Sequence, residues 1–240
     1  MDLENYDGTA EDTVDSTDTD LLTRHVVFIG EIGSGKSSVI NLFANRNLAM
    51  VSPDAEICTR DFASYEVIVA GRRYTLWDTP GTDPATSGFG ISRRSTRNGS
   101  LRRFLQERYR LQELDLIVLC VRGGNALESM SRVYKLPCRQ YRRLTIPVVI
   151  AITHLERKQP MMDGWWQDNE RELVELGLAF DGYACLTCLP FSHRRWASQR
   201  DIRSLISAEC RTSEFSTYRR AWKFYMKSPL CGMPNQLRGG

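Results

Sequence analysis

This sequence predicts an α/β fold with a mostly parallel central sheet flanked by helices, on three observations. Strand-like and helix-like patterns alternate along the chain. The stretch GEIGSGKS, Gly30 to Ser37, fits the phosphate-binding pattern G-x-x-x-x-G-K-[ST] at each fixed position. It lies between an apolar run and a helical pattern, which is where such a loop must sit.

The first strand is expected over 25–29, His25-Val26-Val27-Phe28-Ile29. After the loop, Ser38-Val39-Ile40-Asn41-Leu42-Phe43 begins a helix with apolar residues on one side. Strands follow at 64–69 and 73–77. The second of these, Arg73-Tyr74-Thr75-Leu76-Trp77, alternates and runs straight into Asp78-Thr79-Pro80-Gly81. The fourth, 115–121, holds Leu116-Ile117-Val118-Leu119-Cys120-Val121, an unbroken apolar run of the kind buried on both faces. A fifth strand is expected at 146–152 and a sixth near 183–187. Ligands of such sheets sit beyond the carboxyl ends of the strands. Gly30, Asp78 and Thr153 all lie at such ends, so one pocket can collect them.

The residue types fit phosphate chemistry. Gly30, Gly33 and Gly35 let the backbone wrap a phosphate chain with its N–H groups pointing inward. The helix N-terminus that follows adds positive dipole. Lys36 can reach β- and γ-phosphates, and the Ser37 hydroxyl can ligate magnesium. The loop residues Gly30, Glu31, Ile32, Gly33, Ser34, Gly35, Lys36, Ser37 and Ser38 are therefore the candidate nucleotide-binding set. Asp78, at the end of a strand, is the acidic group a magnesium site needs opposite Ser37. Gly81 lets a backbone N–H approach a γ-phosphate. Thr59 is the only threonine between the first helix and the second strand. It is the best second hydroxyl for the metal, with Ser52 a weaker rival.

Thr153-His154-Leu155-Glu156 follows the fifth strand, where guanine-nucleotide-binding proteins usually carry N/T-K-x-D. Glu156 can accept hydrogen bonds from the guanine N1–H and 2-amino group, and His154 can stack on the base. A helix cap is the competing reading, with Thr153 as N-cap and Glu156 at the third helical position. The two roles can coexist.

With GEIGSGKSSVINLFA, DTPG and THLE in this order, residues 24 to 210 resemble the P-loop NTPase G domains of the septin-like branch of translation-factor-related GTPases. Immune-associated nucleotide-binding GTPases and chloroplast outer-envelope import GTPases are similar. The segment VIAITHLERKQPMMDGWW also resembles fungal proteins known only as G-domain-containing. The resemblance implies GTP and GDP as ligands, magnesium as cofactor, and hydrolysis of the γ-phosphate. It places Cys188 in the loop that touches the base through its backbone, and it implies association through the nucleotide face. Two departures stand out. The base carboxylate is Glu156 rather than Asp. Thr82 follows Gly81, where small GTPases have the glutamine that orients water, so intrinsic hydrolysis is expected to be slow. The alternatives are a non-catalytic module in which GTP supports dimer formation, and a P-loop ATPase with relaxed base selectivity.

Composition agrees. A chain of 240 residues with 42% hydrophobic content can bury one substantial core. The domain is expected at 21–212. Residues 1–20 hold eight acidic residues and no Lys or Arg, which reads as a disordered acidic tail. Setting those carboxylates aside turns the net charge of +3 into about +11. Much of the excess lies in Arg93, Arg94, Arg97, Arg102, Arg103, Arg108 and Arg110. A solvated helix face, a surface for an acidic protein, and an arginine reaching a phosphate across a dimer all remain open. For the last, Arg93, Arg94 and Arg97 come first. Nucleic acid is disfavoured, since no RNA- or DNA-reading motif accompanies the charge.

Residues 213–240 are read as an aromatic, basic helix and a tail. Phe215, Tyr218, Trp222, Tyr225 and Met226 recur at helical spacing, with Arg219, Arg220, Lys223 and Lys227 between them. This helix either packs on the domain or meets a partner or membrane surface. No run reaches the ~20 apolar residues of a membrane span, and no signal peptide or lipidation box is evident. Seven widely spaced cysteines point to a reducing, cytoplasmic setting. Cys185-Leu186-Thr187-Cys188 is an isolated C-x-x-C, read as structural or base-contacting ahead of zinc or redox chemistry.

Overall fold

The computed structural model describes residues 22–51, 61–82, 91–125, 127, 130, 133, 134, 141 and 146–210, with the backbone alone for 91–98. Both expected tails lie outside these residues, as do Thr59 and Ser52. So do the side chains of Arg93, Arg94 and Arg97.

The elements run β1 (Arg24–Ile29), α1 (Lys36–Ala44), β2 (Ala63–Val69), β3 (Arg72–Asp78), α2 (Ile91–Arg110), β4 (Leu116–Arg122), β5 (Val148–Thr153), α3 (Gly164–Glu175), β6 (Gly182–Cys185) and α4 (Arg195–Glu209). They build a six-stranded sheet in the order β2-β3-β1-β4-β5-β6. Only the β2–β3 pair is antiparallel. The six expected strands are all present, each within about two residues of its expected ends.

Alternation along the strands sorts the core into two layers. Val27 and Ile29 of β1 pack with Leu101 and Leu105 of α2 and Trp165 and Leu173 of α3. Val26 and Phe28 face the other way, against Val39, Ile40 and Phe43 of α1 and Ile202 and Ile206 of α4. β4 divides likewise: Ile117, Leu119 and Val121 join the first layer, and Leu116, Val118 and Cys120 the second. An unbroken apolar strand is what a sheet covered on both faces requires.

Local devices hold the ends of these elements. α1 stops at Asn45, whose φ of 57° is left-handed and whose N–H returns to Asn41 O. The buried Asn41 side chain receives the N–H groups of Leu48 and Ala49 and donates to Ala49 O, at 2.8–2.9 Å. On the other layer, Phe62 stacks on Phe104 at 4.2 Å and Phe104 meets Trp77 edge-on at 5.3 Å. The Arg108 guanidinium lies over the Trp77 ring at 4.8 Å and pairs with Glu113 and Glu107. Arg108 thus fastens α2 to β3 and leaves the set of arginines open to a partner. Arg102, Arg103 and Arg110 are exposed. Among the described residues no helix is long and apolar enough to cross a membrane.

His25 opens β1 at the end of the sheet opposite the glycine loop, and its N–H donates to Asp115 Oδ2 at 2.8 Å. Burial lowers its imidazole pKa below 6.5. Asp115 and Glu113 oppose that shift, and Arg108 reinforces it. A lowered folded-state pKa gives stability that is full above the unfolded value and lost as pH falls from there through the folded value. The urea midpoint is therefore expected to drop between pH 7.5 and 5.5. His25→Gln should flatten that dependence, and an unchanged slope in the variant would remove His25 as its source.

Candidate functional site

β1, β3 and β5 end on the same side of the sheet. The parallel register sets Phe28 beside Asp78 and Arg122 beside Thr153. The loops that leave these ends meet, and the meeting is built mainly of backbone.

The glycine loop runs from Gly30 into α1. Gly35 caps the helix with φ 86°, and a Cβ there would also press on the Thr153 side chain at 3.2 Å. Lys36 is buried and folds over its own loop, with Nζ donating to Gly30 O at 3.3 Å and Glu31 O at 3.1 Å. Its ammonium is therefore held against the carbonyls at the start of the loop. Ser37 Oγ donates to Asp78 Oδ2 at 2.6 Å, and Asp78 is 1% exposed. A hydroxyl and a carboxylate side by side are hard oxygen donors of the kind magnesium takes. The donor set fits that ion.

The segment after Asp78 is tied to the glycine loop. Thr79 Oγ1 donates to Phe28 O at 2.8 Å. Thr82 N–H donates to Gly30 O at 3.2 Å, and Ile32 N–H donates to Thr82 O at 3.0 Å. Gly81 lies so close that a Cβ would stand 2.7 Å from Ile32 N and 2.8 Å from Ile32 Cα. The sequence reading marked Gly81 for its freedom near a phosphate, and the structure adds a steric reason for glycine. This two-bond bridge was not legible in the sequence.

Thr153 is the last residue of β5 and is 1% exposed. Its Oγ1 lies 2.9 Å from Ser34 O and 3.1 Å from Val121 O, within donating distance of both. The side chain thus braces the glycine loop against β4. The helix-cap reading of Thr153-His154-Leu155-Glu156 does not hold, because the next helix begins at Gly164. His154 has φ 60°, a left-handed conformation unusual for a non-glycine residue, and its Nδ1 lies 2.8 Å from Thr153 Oγ1. Burial lowers the His154 pKa, Arg122 adds to the effect and Glu156 opposes it. The imidazole is neutral at pH 7. Leu155 is buried, and Glu156 follows it, half-buried, in the same turn.

Cys185 ends β6 and Cys188 follows in the adjoining loop, which rests against the β5 turn through Leu155 N–H to Leu186 O. Both thiols are free, and burial raises each to about 12. Protonated at pH 7, they act as small packing groups. Ser37 and Asp78 are thus joined directly, and Lys36, Gly81 and Thr153 each contact the glycine loop, with His154, Glu156 and Cys188 in the two loops beside them.

A phosphate loop beneath a serine–carboxylate pair, on a mostly parallel sheet with the β2–β3 pair antiparallel, defines a P-loop GTPase and a GTP-binding G domain. Residues 25–154 match the model of the family described as 50S ribosome-binding GTPase, and the chain belongs to that family. The tRNA modification GTPase MnmE of Brucella ovis is 36% identical over 110 residues, which cover 45% of this chain and 20% of the relative. The chain thus spans about a fifth of the length of the curated relatives it matches. Among solved structures, a dimerization-deficient mutant of Toc33 from Arabidopsis thaliana superposes with a TM-score of 0.56 at 14% identity, over 79% of this chain and 84% of Toc33. Era from Aquifex aeolicus bound to GDP and aluminium fluoride gives 0.51 at 17% identity, over 75% and 56%. These likenesses are of fold.

Gly81→Ala tests the contact between the two phosphate-side loops. Both nearest atoms are backbone, so the loops must separate. Calorimetric titration is expected to show GTP affinity reduced at least ~10-fold, about 1.4 kcal/mol, with a thermal midpoint close to wild type. Unchanged affinity would mean that the close packing is irrelevant to binding.

Proposed function

We propose that this G domain is a magnesium-dependent GTP-binding switch or assembly module with slow intrinsic hydrolysis. The observation that carries the reading is the Ser37–Asp78 pair at 2.6 Å, directly beside Lys36 folded over the glycine loop. Lys36 and the loop amides from Gly30 to Ser38 bind the phosphates. Magnesium, held by Ser37 and Asp78 with Thr59 as a further hydroxyl, would neutralise charge on the β- and γ-phosphates when bound. Gly81 senses the γ-phosphate through its amide. Glu156 selects guanine through its carboxylate, His154 offers a neutral ring to the base, and the Cys188 backbone closes the far edge. A reducing, cytoplasmic setting, which the widely spaced cysteines support, belongs to the same proposal.

Slow turnover follows from Thr82. It stands where a water-orienting side chain is wanted, yet its hydroxyl is buried and its backbone is bonded to the glycine loop. The same observation favours a second reading, a non-catalytic module in which GTP supports homodimerisation through the nucleotide face. The Toc33 neighbour is described as a dimerization-deficient mutant, which supports homodimerisation as such. An arginine supplied across such a dimer, Arg93 first, would stabilise charge that develops in the transition state. An acidic protein meeting the exposed arginines of α2 is the alternative activator, and a membrane surface is a weaker third.

Two experiments test the reading. Lys36→Ala should abolish nucleotide binding in calorimetry while leaving the far-UV circular dichroism intact, because the side chain lies against loop carbonyls. Unchanged affinity in the folded variant would overturn the site. Hydrolysis per chain should be on the order of ~10⁻⁴ s⁻¹ or below in the monomer and rise as sedimentation detects dimer. A rate that stays flat across the dimer transition would remove self-activation, and no turnover at any concentration would favour the non-catalytic module.

A further inference from the structure

The two loops on the base side of the site are both held by one short stretch at the start of α4, where the Cys188 loop enters that helix. Arg194 Nη1 donates to Lys158 O at 2.7 Å. Its Nη2 reaches Gln159 Oε1 at 3.3 Å and Pro160 O at 3.2 Å. Arg195 Nη1 donates to Cys188 O at 2.9 Å. One turn on, the buried Ser198 Oγ receives the N–H of Thr187 at 3.0 Å. The chain leaving Glu156 and the loop carrying Cys188 are therefore both anchored where that second loop enters α4.

Helix stability does not explain these arginines. Cations are disfavoured at a helix N-terminus, where the dipole is positive, and the first turn of α4 contains no acidic residue to offset them. What they gain is hydrogen bonds to carbonyl oxygens, which a guanidinium makes in a fixed fork. Those carbonyls belong to loops that β5 and β6 leave behind. Between them runs a long backbone bond, from Leu155 N–H to Leu186 O at 3.3 Å. A half-buried carboxylate at Glu156 is selective only if its position is fixed to a fraction of an ångström.

We propose that Arg194 and Arg195 are positioning residues for base selectivity, clamping the Glu156 loop and the Cys188 loop to α4 in the spacing that admits guanine. This rests on the reading of Glu156 as the guanine-selecting carboxylate. Neither arginine touches the base. Each acts through the carbonyls it holds, so its loss should reduce discrimination and leave phosphate binding in place.

The test is displacement of a fluorescent GDP analogue by GDP and by ADP, on the full chain, for wild type, Arg194→Ala, Arg194→Lys, Arg195→Ala and Arg200→Ala. Arg200 lies on the exposed side of α4 and pairs with Asp201. The readout is the ADP-to-GDP ratio of dissociation constants, with nucleotide-free thermal midpoints measured in parallel. Wild type and Arg200→Ala should show a ratio of at least ~100. Both alanine variants should lower it at least ~10-fold by weakening GDP, with ADP affinity nearly constant. Arg194→Lys, which keeps the charge but not the fork, should fall between and serves if the alanine variant does not fold. A wild-type ratio near one would sink the guanine reading and this inference together. A high wild-type ratio retained in the arginine variants would overturn the clamp alone, as would equal losses for GDP and ADP.

Discussion

The site depends on β1 lying between two parallel neighbours in a fixed register. Phe28 pairs with Asp78 on one side, and Ile29 pairs with Leu119 on the other. That register fixes where the glycine loop begins, so that Ser37 meets a carboxylate from β3 and Gly30 lies over the end of β4. A slip of one residue would turn Val26 and Phe28 toward the wrong layer and would carry Asp78 away from Ser37. The apolar faces of β1 and β4, buried on both sides, make such a slip costly. The core thereby sets the geometry of the chemistry.

What was legible in the sequence is what periodicity and local motif encode. Apolar runs ending at Ile29, Val121 and Ile152 could be read as strands because buried parallel strands carry few polar residues. GEIGSGKS could be read because its glycines and lysine answer a local demand. Asp78 was legible as a partner for Ser37 because a strand precedes it. The rest depends on contacts between segments far apart in the chain. Thr153 was marked for the base, yet its hydroxyl is engaged 119 residues away, at Ser34 O. Arg108 was counted in a surface cluster, yet it packs on Trp77 across two elements. Nothing local singles out Arg194 and Arg195 in the sequence, since a solvated arginine and one bonded to distant carbonyls look alike there.

The helix-cap reading of Thr153 to Glu156 failed for a local reason that spacing conceals. A threonine three residues before a glutamate satisfies the capping pattern, but His154 takes a left-handed φ and breaks the helical path at once. Non-glycine residues held in this way concentrate at functional sites, where surrounding contacts overdetermine them. Here the buried Thr153 and Leu155 on either side supply that restraint, while His154 itself remains exposed.

Ser37 and Asp78 are the proposed joint seat for magnesium, between the first helix and the third strand. The most direct test of that seat is calorimetric titration of a non-hydrolysable GTP analogue with excess magnesium and with chelator, on wild type and Asp78→Asn. The account predicts that chelation weakens binding to wild type at least ~10-fold, and that Asp78→Asn binds equally weakly under both conditions. Equal affinity of the wild-type chain with and without magnesium would contradict it.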